Sequence, residues 1–156
     1  LIELSIPGKG NLILEHVVFD VNGTLAVDGI LCEGVEERLA ALADYLTIHM
    51  LTADTHGGQA AIDAQLGMTA VRMRQGNERE QKATYVERLG ADRVAAVGNG
   101  GNDVGMLRAA AIGIAVLGHE GLNVEALQAA DLVAGSPVDA LDLLLKPKRL
   151  IASLRR

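Results

Sequence analysis

Aromatic side chains are almost missing from this chain: Phe19, Tyr45 and Tyr85 are the whole supply, and there is no tryptophan. That shortage excludes nucleic-acid platforms that stack bases on rings, and a formal charge of −6 opposes association with phosphate backbones. No nucleic-acid partner is expected. Cysteine is present once, as Cys32, which removes both a disulfide framework and a cysteine-based zinc site. With no positive group near it in sequence, Cys32 reads as a small buried or flap residue rather than a nucleophile. No apolar run approaches the roughly 20 residues of a membrane span. The N-terminal stretch LIELSIPGKGNLILE carries charges and lacks a signal-peptide layout, so the expectation is a cytoplasmic protein without a membrane partner. What remains is 156 residues, 49% of them apolar, enough for one domain with a core of Leu, Val, Ile and Ala.

Short runs rich in Val, Ile and Leu alternate with segments of helical period, the pattern of a mostly parallel sheet covered by helices on both faces. Strands are predicted near 2–6, 11–20, 46–52, 68–73, 93–97, 112–117 and 131–134, the first joining a hairpin through PGKG. Helices fit 33–45, 57–66, 77–89, 103–110, 122–130 and 136–155, the last interrupted at Pro147. In the first helix Val35, Leu39 and Leu42 share one face, while Glu36, Glu37 and Arg38 point away. The basic ending KPKRLIASLRR reads as solvated cations complementing a helix C-terminus. The fold class is α/β, a Rossmann-like doubly wound sheet.

In such sheets ligands bind beyond the carboxyl ends of the strands, and the polar residues here gather at those ends. VVFDVNGT follows one strand, HMLTADT the next and VAAVGNGGNDVGML a later one; NEREQKATYVERLG places Lys82 on a helix between the last two. Phosphoryl transfer through a covalent intermediate needs a carboxylate nucleophile, a hydroxyl and a lysine to hold phosphate, and acidic oxygens for a divalent cation. Asp20, Thr52, Lys82 and Asp103 supply one of each. Singly, a strand-end Asp is often a turn or helix cap and a Lys is usually solvated. Four in chain order on one rim make a stronger signal.

On these motifs the sequence resembles the haloacid dehalogenase (HAD) superfamily of aspartate-nucleophile phosphotransferases, and more narrowly the small soluble relatives of P-type ATPase phosphorylation domains. The resemblance implies that Asp20 of the DxxGT segment is phosphorylated, that Thr52 of the T-x-D segment binds phosphate with Asp54 in support, and that Lys82 neutralises phosphoryl oxygens. It also implies a phosphate-contacting set of Thr24, Ala53 and Asn102. A magnesium ion is implied at Asp20, the Asn22 backbone carbonyl and the GNGGND loop, with Asn99 and Asp103. The substrate class is a small phosphorylated molecule.

Two positions depart from that pattern. Where phosphatases of the family usually carry the Asp that protonates the leaving group and activates water, this chain has Asn22, and an amide does neither. Asn99 replaces an acid of the metal loop; it still offers an oxygen, at the cost of one negative charge. Slow turnover of a phosphoaspartate is the expected consequence. From Thr24 to Thr52 there is room only for a flap near LAVDGILCEG and one helix, and from Thr52 to Lys82 only for helix, strand and helix. The expectation is therefore a capless core over 1–156, without the nucleotide-binding insertion of an ion pump, whose open site a second subunit covers in a homo-oligomer. The apolar residues of ALDLLLKPKRLIASL are candidates for that contact.

Other readings fare less well. GNGGND would need glycine at Asp103 to match a dinucleotide fingerprint. His16, His49, His56 and His119 are scattered; His49 reads as a satisfied sheet histidine, and His56 alone lies near the proposed rim, as a solvated loop residue or a substitute acid/base. A catalytically impaired phosphate-binding or regulatory module stays open beside the enzyme.

Overall fold

The chain opens with an antiparallel hairpin, β1 (Ile2–Ile6) and β2 (Gly10–Leu14), turning through Pro7, Gly8 and Lys9. Then come β3 (His16–Asp20), a small hairpin of β4 (Ala26–Val27) and β5 (Ile30–Leu31), α1 (Val35–Leu42), β6 (Thr47–Thr52), α2 (Gln59–Leu66), β7 (Val71–Arg72) and α3 (Glu78–Leu89). The second half adds β8 (Val94–Gly98), a 3-10 turn over Gly101–Asp103, α4 (Val104–Ala109), β9 (Ile112–Val116), α5 (Val124–Ala129), β10 (Leu132–Ala134), α6 (Pro137–Leu145) and α7 (Pro147–Leu154). This computed structural model describes residues 1–53 and 57–156.

Six strands form one sheet in the order β10-β9-β8-β3-β6-β7, and every ladder in it is parallel. The chain moves from β3 outward to β6 and β7, then returns to the other side of β3 for β8, β9 and β10. The order thus reverses at β3, which places the crevice of a doubly wound sheet at the end of that strand.

Strand parity decides what each β3 residue meets. Val17 and Phe19 point into the larger core with α1, α2, α6, α7 and the N-terminal hairpin. Val18 points the other way, into a smaller core with Val86 of α3, Met106 and Leu107 of α4 and Ala126 of α5. Asp20, two residues after Val18, therefore faces α3. On α3 the buried residues are Lys82 and Val86, four apart and on one stripe, so the helix aims a lysine at the end of β3.

The predicted strand over 11–20 is in fact two, because its halves serve different sheets. Glu15 sits between them and is fixed from both sides: its N–H donates to Arg93 O at 2.9 Å, and its carbonyl accepts from Thr47 N at 3.0 Å. The strand predicted over 68–73 shrinks to Val71–Arg72, an edge element with one neighbour. Val35, Leu39 and Leu42 are buried as expected, whereas Arg38 turns back to pair with Asp142 of α6 at 2.9 Å.

Pro147 ends α6 and opens α7, a position that suits its missing N–H. Lys148 and Arg149 consequently lie in the first turn of α7 rather than at a helix C-terminus, and both are exposed. Leu141, Leu144, Leu150 and Leu154 pack into the chain's own core. These four leucines are thus not available for a subunit contact.

Helices α3 and α4 approach closely because residue 105 has no side chain. A Cβ on Gly105 would lie 2.6 Å from Arg79 O and 3.0 Å from Ala83 Cβ, both on α3. Gly105→Ala is expected to force the helices apart and destabilise the fold by about 1–3 kcal/mol, the usual cost of overpacking. Urea unfolding checks this; an unchanged midpoint would show that the contact relaxes without cost.

Candidate active site

Asp20 ends β3, and the turn that follows is closed on Val21, whose carbonyl accepts from Thr24 N at 3.2 Å, Leu25 N at 2.9 Å and Ala26 N at 3.0 Å. Gly23 adopts φ of 82°, a left-handed conformation that glycine reaches without a Cβ penalty. The turn brings Thr24 back under the strand end, where its hydroxyl lies 3.2 Å from both Asp20 Oδ2 and Asn99 Oδ1. One proton serves one of these acceptors at a time.

Lys82 Nζ donates to Asp20 Oδ1 and to Asp103 Oδ1, each at 2.7 Å, and Lys82 and Asp103 are fully buried. The other oxygen of Asp103 accepts from the N–H groups of Asn99 and Gly100, each at 3.0 Å. One carboxylate thus ties the loop after β8 to the lysine of α3. On the opposite side, Asn22 Nδ2 donates to Thr52 Oγ1 at 3.3 Å.

These groups border an open cavity of about 680 Å³. Of the residues singled out from sequence, Asp20, Asn22, Ala53, Asn99 and Asn102 line it. Thr24, Thr52, Lys82 and Asp103 are buried behind that lining and fix it by the bonds just given. Asp54 and His56 lie outside the described residues. Sequence reasoning missed Glu120, Gly121, Leu122 and Asn123, a second polar wall from the loop after β9. The available signal was positional: LGHEGLN follows a parallel strand two places from β3, at the same carboxyl edge.

Burial, then the nearby Asp103 charge, push the Asp20 carboxyl up to about 7, against the pull of Lys82 and Thr24. Burial alone would lower the Lys82 ammonium, yet Asp20 and Asp103 outweigh it and hold the lysine above its usual value. Lys82 is therefore charged at neutral pH, held between two carboxyls.

Among the residues that line the cavity, Asp20, Asn22 and Asn99 carry side-chain oxygens. Such a hard, all-oxygen set fits magnesium better than a thiophilic metal. Among the described residues no three His, Cys, Asp or Glu side chains converge as a metal cluster, so amide and main-chain oxygens would have to complete the shell. His16 and His49 do not line the cavity: His49 bonds His16 at 3.1 Å and the Tyr85 hydroxyl at 2.8 Å, as a satisfied sheet histidine does. Cys32 packs against the core, and burial raises its thiol pKa. Among the described residues no helix is long and apolar enough to cross a membrane.

No protein-family model matches the sequence. The uncharacterized protein MJ0073 of Methanocaldococcus jannaschii is 37% identical over 92 residues, which are 56% of this chain and 99% of that protein. Among solved structures, 3-deoxy-D-manno-octulosonate 8-phosphate phosphatase from Moraxella catarrhalis, in complex with magnesium, phosphate and KDO, superposes with a TM-score of 0.65 at 18% identity. It covers 91% of this chain and 94% of its own. A zinc-transporting PIB-type ATPase in its E2.Pi state superposes at 0.63 with 28% identity, over 79% of this chain and 20% of the pump. The architecture is that of the haloacid dehalogenase fold. The chain belongs to the family that includes MJ0073.

The sign of the Asp20 shift gives a test in metal-free buffer. A carboxyl whose folded pKa is raised stabilises the fold fully below its unfolded value of 3.8 and loses that contribution as pH rises through about 7. Relative to Asp20→Asn, the wild-type protein should lose of order 1–4 kcal/mol between about pH 4 and pH 7. Urea midpoints of the two proteins across that range check it; parallel curves would place the shared proton elsewhere.

Proposed function

We propose that this protein is a magnesium-dependent phosphohydrolase or phosphotransferase of small phosphorylated substrates, acting through a phosphoaspartate on Asp20. The observation that carries the reading is the fully buried Lys82 ammonium held 2.7 Å from both Asp20 and Asp103 at the edge of an open polar cavity. A structural scaffold gains little from such a costly arrangement, whereas phosphoryl transfer uses all of it.

In this reading Asp20 Oδ2 attacks the phosphorus in line, the bond to the leaving oxygen breaks, and water later cleaves the acyl phosphate. Lys82, Thr24, Thr52, Ala53 and Asn102 hold the phosphoryl oxygens. Asp20, the Asn22 carbonyl and Asn99 would hold the magnesium, while Asp103, expected from the sequence as a further ligand, lies behind them with both oxygens engaged. Bound magnesium supplies charge neutralisation for the transferring phosphoryl group. Asp103 fixes Lys82 and the loop after β8, so those donors need not reorganise when charge develops.

Asn22 is the weak point. Its amide donates to Thr52 rather than presenting an acid, so both protonation of the leaving group and activation of water lack a carboxyl there. That bond favours the second reading, a phosphate-ligand-binding or regulatory module with little turnover. The phosphatase and pump neighbours, one with bound phosphate and magnesium and the other in a phosphate-bound state, support a phosphate site of this kind. A single capless domain over 1–156, a homo-oligomer that shields the open cavity, and a cytoplasmic location belong to the same proposal.

A phosphatase screen with saturating magnesium tests it. Wild type should turn over phosphate esters with good leaving groups, and Asp20→Asn should be inert. Asn22→Asp should raise turnover within the roughly 100-fold to 10,000-fold range of general acid–base help, most for poor leaving groups. Peptide mapping must accompany the assay, because Asn22 and Asn99 both precede glycine and deamidate readily. If unmodified wild type and Asn22→Asp are both inert while beryllium fluoride still binds, the module reading replaces the enzyme.

Light scattering checks the assembly separately: particles larger than one chain are expected, and a strict monomer at high concentration would remove the oligomer from the proposal.

A further inference from the structure

Asp103 is poorly placed to give charge to a cation. One of its oxygens is committed to two main-chain N–H groups and the other to Lys82, and it does not reach the cavity lining. Releasing either oxygen would unpin the loop or leave a buried ammonium short of a partner. With both carboxyls ionised, as a bound cation requires, Asp20 and Asp103 beside the Lys82 ammonium leave a net charge of −1, little for a divalent ion. Asn99 adds none.

The loop after β9 brings a further acid to that side. A methyl group placed on Gly23 would overlap the Glu120 carboxylate, and the same point lies 3.1 Å from Asn99 Nδ2. Glu120 thus sits directly over the turn that follows Asp20, in a space that Gly23 leaves free. Its loop is anchored to Asn99 itself: Asn123 N donates to Asn99 O at 2.9 Å, and Asn99 Nδ2 reaches Gly121 O at 3.5 Å. An antiparallel bridge between Gly118 and Gly121 turns the chain so that Glu120 projects into the cavity.

We propose that Glu120 supplies the carboxylate charge that Asn99 lacks, as the acid that recruits the divalent cation to this site. The inference rests on the magnesium-side assignment made above. With Glu120 the local charge becomes −2, matching the ion. The side of the site also decides its role. Asn22 turns its amide towards Thr52 on the β6 side, whereas Glu120 stands with Asn99 on the β8 and β9 side. Glu120 therefore replaces the missing metal-loop acid and not the missing acid/base.

The test is calorimetric titration of magnesium chloride into the full metal-free chain. Wild type, Glu120→Gln, Asn99→Asp and the double variant are compared, with a phosphatase assay alongside. Glu120 is exposed, so Glu120→Gln should unfold at the same urea midpoint as wild type. Its magnesium dissociation constant should rise about 10-fold to 100-fold, the range seen when supporting groups of metal sites are lost. Adding Asn99→Asp should bring it back to within a few-fold of wild type. If wild type binds magnesium and Glu120→Gln binds it equally, the Glu120 assignment falls, even if KM shifts, and the proposed function stands. Weakened binding that Asn99→Asp does not recover also overturns it, since the loss would then not be one of charge on that side. Magnesium binding without any turnover would leave Glu120 in place and remove the phosphohydrolase. A wild type that binds no magnesium overturns both.

Discussion

The ammonium of Lys82 is the constraint around which the rest is arranged. A charged lysine with no exposure is unfavourable by several kcal/mol unless its partners are held in good geometry, and breaking such a pair leaves an uncompensated buried charge. Its two carboxylates arrive from different elements: Asp20 from the end of β3 and Asp103 from the turn before α4. Each arrival has its own local cause. Parity along β3 turns Asp20 towards α3; the stripe shared with Val86 turns Lys82 towards the sheet; and Gly105 lets α3 and α4 close until Asp103 meets the lysine.

From that fixed centre the site divides into two unlike halves. Towards β6 lie Asn22, Thr52 and Ala53, neutral groups that exchange a hydrogen bond and bring no titratable acid among the described residues. Towards β8 and β9 lie Asn99, the main chain braced by Asp103, and Glu120 above Gly23. The division follows from topology. Because the strand order reverses at β3, the two walls of the crevice come from separate parts of the chain, and each carries a different share of the chemistry.

Much of this was legible in the sequence because periodicity reports burial. The alternation of Val-rich runs and amphipathic segments gave the element order, and Pro147 marked the helix break. Asp20, Thr52 and Asp103 could be found because polar residues at the ends of apolar runs are few. What escaped was set by tertiary pairing. Nothing local shows that residues 11–20 must split at Glu15 to serve two sheets, or that Arg38 leaves its polar face for Asp142. The burial of Lys82 was hidden because its neighbours on α3 are almost all charged or polar. Glu120 escaped for the opposite reason: an exposed glutamate in a glycine-containing loop looks like any solvated surface residue until the close approach to Gly23 is seen.

The two halves bear differently on the two steps of the proposed chemistry. Formation of a phosphoaspartate draws on Lys82, Thr24 and the cation-side oxygens, groups already in position, so little reorganisation accompanies the charge that develops on the phosphoryl oxygens. Breakdown draws on a proton acceptor for water, which the β6 half does not supply at Asn22. Lys82 does not compensate. Its proton is held by two carboxylates at 2.7 Å, and its pKa is raised rather than lowered, so it is a fixed charge and not a base. In the proposed chemistry, such a site favours holding a phosphoryl group over releasing it. That property would be shared by the slow enzyme and the binding module, and the difference between them reduces to whether a proton acceptor reaches the cavity beside the Asn22 side chain.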